Sequence, residues 1–218
     1  MSQRQEPSWS SASILQAAVT CQPQGWARLC ACYGPVVYRW ARAASLQDSD
    51  AQDVGQEVFA VVAKKLAQFR RECPTTPFRA WLWGITRNKL REFRRDREAA
   101  PVACGGSTAA ELLREAAADR LDDAALDAGG SAEFPTGSSG DEAACQRLVL
   151  QNALALLREE IEPQTWQIFW RTTVDLTPAA EVAREMGLQP AAARQARYRV
   201  LRRLRLLLAD TGEFGEFS

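Results

Sequence analysis

Val58, Val62, Leu66 and Phe69 fall at i, i+4, i+8 and i+11, the apolar stripe of one long helix. Asp53, Gln56 and Glu57 lie largely off that stripe, on its polar face. Ser49, with Gln52 three positions on, has the pattern of a capping box. Asp48, Asp50 and Asp53 suit the positive end of the helix dipole. The helix is expected to stop near Phe69, because Arg70 to Thr76 contains Pro74 and turn-forming residues. Thr76 and Pro77 then predict a new helix, as N-cap and first-turn proline. Phe78, Leu82 and Ile85 point to its core face. Arg79, Arg87, Asn88, Arg91, Arg94 and Arg95 are left towards solvent. Upstream, a short helix is expected from about Ser13 to Cys21. Pro23 and Gly25 then break the chain, and Gly34-Pro35 marks a bend before Val36, Val37 and Trp40.

From about Glu98 to Gly140 the periodicity fades into Ala, Gly, Ser, Asp and Glu, ending in GGSAEFPTGSSG. Most of this reads as flexible linker, with a transient helix around Ala109 to Leu126. Helical spacing resumes near Asp141. Leu148, Leu154, Ala155, Leu157 and Ile161 suggest a helix to about Glu162, and Pro163 starts another with Trp166, Ile168, Phe169 and Trp170. Thr177-Pro178 caps the short segment PAAEVAREM, which Gly187 terminates, and AAARQARYRVLRRLRLLL follows. Short helix, glycine turn and long helix make the helix-turn-helix outline. Val182, Met186, Leu188, Val200 and Leu204 form its expected seam, with small Ala183 where the two helices meet. The fold class is therefore all-α. Two small helical domains, 11–97 and 141–209, are joined by a flexible acidic linker, 98–140, and the second domain is a helix-turn-helix.

Charge changes the picture, because a formal net charge of zero hides strong segregation. Lys64 to Arg97 holds 11 basic residues against three acids. Arg194 to Arg205 has six arginines and no acid, whereas Glu98 to Glu162 has 13 acids and four arginines. Clustered Lys and Arg are the footprint of a phosphate backbone, whose neutralisation releases condensed counterions. Aromatics beside such a cluster, here Phe78, Trp81 and Trp83, can stack on unpaired bases that a duplex does not offer. Trp81 fits the core better than a stacking platform, and Trp83 suits packing and stacking about equally. In the second basic helix the N-terminal part would enter the major groove, presenting Arg194, Gln195, Arg197 and Arg199, with Gln189 in the preceding turn. The alternative is a solvated arginine face, although such a face normally mixes in acids.

Other chemistries find little support. Six cysteines include no CxxC pair and histidine is absent, so neither a zinc site nor a Ser–His or Cys–His nucleophile is expected. Cys30 and Cys32 read as small core residues of a reducing compartment rather than a redox pair. No apolar run reaches a membrane span. These features predict a soluble, cytoplasmic protein with no histidine-based catalytic residues, and with no metal site or cofactor expected. Enzymes built on carboxylates or metals stay open, although no clustered carboxylate constellation appears.

Taken together, DAQDVGQEVF, FRAWLWGITRNKLREFRR and the span from about Pro163 to Leu208 resemble bacterial RNA polymerase sigma factors of the extracytoplasmic-function (ECF) type, in the sigma-70 family. The first looks like the family's polymerase-docking helix and the second like its promoter-melting and −10-reading helix. The third looks like the region that reads the −35 element. The resemblance implies that Asp53, Gln56 and Glu57 meet the clamp helices of the largest subunit of core RNA polymerase. It also implies that the Arg70–Thr76 loop and the next helix capture a base flipped from the −10 strand. Arg70, Arg79, Trp83, Asn88, Arg91 and Arg94 are the candidates there. Gln189, Arg194, Gln195, Arg197 and Arg199 are the −35 candidates. The implied partners are core polymerase and promoter DNA, both duplex and single-stranded; whether an anti-sigma factor restrains the chain stays open. Ala191 to Ala193 depart from the family's small polar residues, and Gly55 costs about 1 kcal/mol inside the docking helix. The acidic spacer could compete with DNA for the basic helices or serve as a passive tether. The rival reading is a helix-turn-helix regulator that binds duplex DNA without polymerase.

Overall fold

The computed structural model describes residues 13–20, 23–73, 75–99 and 139–212. The described residues contain eight helices: α1 (Ile14–Val19), α2 (Pro23–Ala43), α3 (Asp48–Glu72), α4 (Phe78–Ala99), α5 (Ser139–Glu160), α6 (Pro163–Thr173), α7 (Ala179–Glu185) and α8 (Pro190–Leu208). No strand occurs among them. The chain divides into two compact units. Among the described residues, one comprises 29–73, 75–99, 139–148 and 211–212, and the other 13–20, 23–28 and 149–210. This division differs from the expected one in grouping α1 with the C-terminal helices. Periodicity is a local property and cannot reveal which distant partner covers a short terminal helix. Most of the expected linker, including the helix expected at 109–126, lies outside the described residues.

The unit containing residues 29–148 is organised by the α3·α4 pair and by the C-terminal part of α2. In α2, Leu29, Cys32, Tyr33, Val36, Val37, Trp40 and Ala41 are all buried. That continuous stripe explains why the expected bend at Gly34-Pro35 is absent: α2 runs through Pro35 unbroken. An interior proline costs about 3 kcal/mol, and apolar burial on both sides offsets it. The α2–α3 corner closes a Schellman motif. Leu46 N–H donates to the Ala41 carbonyl at 3.3 Å and Ser45 N–H to that of Arg42 at 2.9 Å, with Ser45 left-handed at φ 67°. Arg42 reinforces the corner, bonding the Leu46 carbonyl at 2.7 Å and the Asp48 carboxylate at 2.8 Å.

The expected capping box at Ser49 does not form. Gln47 occupies the N-cap without a side-chain bond, and α3 starts at Asp48, placing Asp48 and Asp50 in the first turn. The tied corner sets this earlier start. At the other end α3 continues past Phe69 to Glu72, with Cys73 N–H bonded to the Phe69 carbonyl at 2.9 Å. The expected stripe itself is confirmed, with Val58, Val62, Leu66 and Phe69 all buried. α4 begins one residue after Pro77, whose carbonyl accepts from Ala80 and Trp81 at 3.0 and 3.3 Å. Thr76 therefore sits one position too early to be the cap.

In the other unit, Ser13 caps α1 by accepting from Gln16 N–H at 3.2 Å, and its hydroxyl donates to Asp210. Gly25 is required here, since a Cβ would stand 2.4 Å from the Ala17 carbonyl. Ile168, Val182, Ala183, Ala193 and Ala196 form a buried cluster from α6, α7 and α8, with Met186 and Leu188 packed against it. α7 ends in a second Schellman arrangement. Gly187 is left-handed at φ 67°, and Leu188 N–H bonds the Ala183 carbonyl at 2.8 Å. A non-glycine residue there would pay the left-handed penalty of roughly 1–2 kcal/mol. α5 belongs to the first unit as far as Leu148 and to this one from Val149; its buried positions are Cys145, Val149, Ala153 and Leu157, whereas Ala155, expected inside, is exposed. Its apolar face is turned from the expected one because Cys145 and Ala153 act as apolar residues.

Candidate nucleic-acid and protein interfaces

Asp53, Gln56 and Glu57 are all exposed on one face of α3, at i, i+3 and i+4. The stripe on the opposite side forces this orientation. Beside them lies a groove of about 420 Å³, lined by Gln47, Asp50 and Glu57 of the α3 end and by Glu92, Phe93, Asp96 and Arg97 of α4. Arg97 bonds Asp50 at 3.1 Å across it. Glu92 and Asp96 were not singled out from sequence. The available signal was their i, i+4 spacing within an otherwise basic helix. Lys89 bonds Glu92 at 2.9 Å.

The groove sets the protonation of Glu57. The residue is exposed overall, yet partial burial of its carboxyl pushes its pKa above the usual carboxylate value. Lys89 opposes the shift, and Glu92, Asp96 and Asp53 add to it. A raised acid pKa means that the folded state holds more protons than the unfolded state between the two values. Stability therefore falls as pH rises through that window. Glu57→Gln is expected to raise the thermal midpoint at pH 7 and to change it little at pH 4. Melting curves of both proteins across this range check the sign.

The basic face of α4 contains only part of the expected −10 set. Arg91, Arg94 and Arg95 are exposed and Asn88 is half-buried, so i, i+3 and i+6/i+7 spacing brings them together. Arg94 donates to the Ala44 carbonyl at 3.1 Å. Arg70, half-buried, lies in the last turn of α3. Two expectations need correction. Trp83 is 3% exposed and meets Trp40 edge-on, with ring centroids 5.3 Å apart. Arg79, expected at the solvent face, is 2% exposed and paired with Glu142 of α5. The aromatics before the basic run are core as a group. Phe69 stacks on Trp81 at 4.5 Å, and Phe78 meets Tyr33 at 4.8 Å. Pro74 lies outside the described residues.

On α8, Arg194, Gln195, Arg197 and Arg199 are exposed, as is Gln189 at its N-cap. Burial of Ala193, Ala196 and Val200 aims the arginines outward. Tyr198, missed from sequence, is 60% exposed among them. Its position between Arg197 and Arg199 places it on the outer face. Cys30 is half-buried and Cys32 buried, both as free thiols, and burial pushes the Cys30 thiol up. Among the described residues no group of metal-ligating side chains converges and no helix is long and apolar enough to cross a membrane.

No curated protein and no solved structure matches the chain. Residues 29–100, from the buried part of α2 through the end of α4, match the family described as Sigma-70 region 2, and this match supports a sigma-70 family factor.

Proposed function

We propose that the chain is an ECF-type sigma factor that brings core RNA polymerase to promoters and helps open them. The observation that carries this reading is the pairing of two features. A Sigma-70 region 2 match spans residues 29–100, and α8, which follows the short α7, presents six arginines and no acid. Region 2 implies a sigma factor role in promoter recognition by the polymerase. Asp53, Gln56 and Glu57 supply acceptors for basic side chains of the largest subunit's clamp helices, and a cation arriving there would relieve the repulsion around Glu57. Asn88, Arg91 and Arg94, with Arg70, supply donors for the phosphates and bases of the −10 strand. Strand capture costs a few kcal/mol of unstacking, which phosphate contacts offset.

The α7–α8 pair acts as a helix-turn-helix on the −35 duplex. An arginine bidentate to guanine discriminates by about 1–3 kcal/mol, whereas one on phosphate only positions the helix. The sigma factor would not be an enzyme, since bond formation belongs to the polymerase, and its site of action would be the cytoplasm. Run-off transcription with purified core polymerase on a promoter library tests the proposal. Wild type is expected to yield transcripts, with Asn88→Ala impaired in opening and Arg194→Ala impaired in −35 selection. No transcript from wild type on any template would remove the reading.

A further inference from the structure

Two chain segments remote from α4 in sequence cover its N-terminal turn. From the C-terminal side, the Thr211 carbonyl accepts the Phe78 N–H at 2.7 Å, supplying the backbone cap that Thr76 does not. Thr211 is fully buried. Gly212, left-handed at φ 64°, lies so near that a Cβ would stand 3.1 Å from Pro77 Cα. From the linker side, Glu142 in the first turns of α5 pairs through its carboxylate with Arg79 and accepts from it through its backbone carbonyl at 3.2 Å. Residues 77–79, 142 and 211–212 all belong to the same compact unit.

We propose that Glu142 and the Thr211–Gly212 segment form an internal latch that masks the strand-capturing end of α4 in the free protein. This rests on the −10 reading above. Arg79 is the first cation of α4, two residues after the connection from α3 ends at Pro77. In the closed arrangement its guanidinium is held by a carboxylate, the group that most directly competes with a phosphate for it. The closed form is poised rather than permanent. Glu142 is partly exposed, and its second carboxylate oxygen is buried without a hydrogen-bond partner among the described residues. Such an orphaned acceptor costs free energy. Unlike competition by the whole acidic spacer, this device needs one carboxylate at one position. The strand-binding site is then free only in the minor form in which Arg79 has left Glu142 and the C-terminal segment has swung away from Pro77. An incoming phosphate holds that form open.

The test uses the full chain, without polymerase, and a labelled random single-stranded 20-mer at 0.1 M salt. Glu142→Gln and Gly212→Val are each expected to bind it about ten-fold more tightly than wild type, the factor expected if the open form is populated roughly a tenth of the time. Adding Arg79→Ala to Glu142→Gln should abolish the gain. Amide exchange at Phe78 should be about ten-fold slower in wild type than in Gly212→Val and in a chain ending at Asp210. If Gly212→Val fails to fold, as circular dichroism would reveal, Glu142→Gln still decides the matter. Affinity equal to wild type in a folded Glu142→Gln protein overturns the latch, as does a gain that survives Arg79→Ala. Run-off activity retained in that case leaves the sigma-factor reading standing, whereas its loss in wild type removes that reading independently.

Discussion

Replacing Trp83 with alanine is expected to destabilise the unit containing residues 29–148 by about 3–5 kcal/mol, the usual cost of truncating a buried tryptophan. The indole is 3% exposed, stands edge-on to Trp40 and lies in a turn of α4 where Trp81, Leu82, Ile85 and Thr86 are buried as well. A cavity of that size cannot be refilled by rigid helices on either side. Trp83→Phe keeps an aromatic edge against Trp40 and should lose only about 1–2 kcal/mol. Urea unfolding followed by circular dichroism separates the two substitutions. A Trp83→Ala protein of unchanged stability but weakened strand binding would show that the indole serves as a stacking platform instead.

Trp83 and Arg79 also mark where sequence reading stopped. The α3 stripe and the outward face carrying Asp53, Gln56 and Glu57 were legible, because period 3.6 and a run of apolar residues determine both. The same logic aimed Arg194, Gln195, Arg197 and Arg199 outward on α8, where the intervening alanines are buried. A helical wheel, however, gives the faces of one helix and not what covers them. Trp83 is buried by Trp40, more than 40 positions earlier, and Arg79 by Glu142, more than 60 positions later. Neither partner has a signature readable at that distance. Pro35 was misread for a related reason: its local cost is visible in sequence, but the burial that offsets it is tertiary. The capping-box residues at Ser49 and Gln52 were overruled by the tied corner at Arg42, Leu46 and Asp48.

Reversing the acidic face should have the largest functional effect. Asp53→Lys with Glu57→Lys replaces two acceptors by two cations on the surface proposed to meet basic clamp helices. Like-charge juxtaposition at an interface costs several kcal/mol, so association with core polymerase is expected to weaken by about 100-fold or more, on a scale of 1.4 kcal/mol per factor of ten. The fold should survive. Both side chains are exposed, and removing the Glu57 carboxylate relieves its repulsion with Glu92, Asp96 and Asp53. A stable protein that no longer binds would separate docking from folding, which the Trp83 substitution cannot do.

The most direct test is a binding titration of the purified chain against core RNA polymerase at 0.15 M salt, followed by analytical ultracentrifugation. Wild type is expected to co-sediment with the polymerase as a stoichiometric complex, while the Asp53→Lys, Glu57→Lys protein sediments alone. Failure of the wild-type chain to join the polymerase, or equal binding by the doubly reversed chain, would contradict the proposed role of the α3 face.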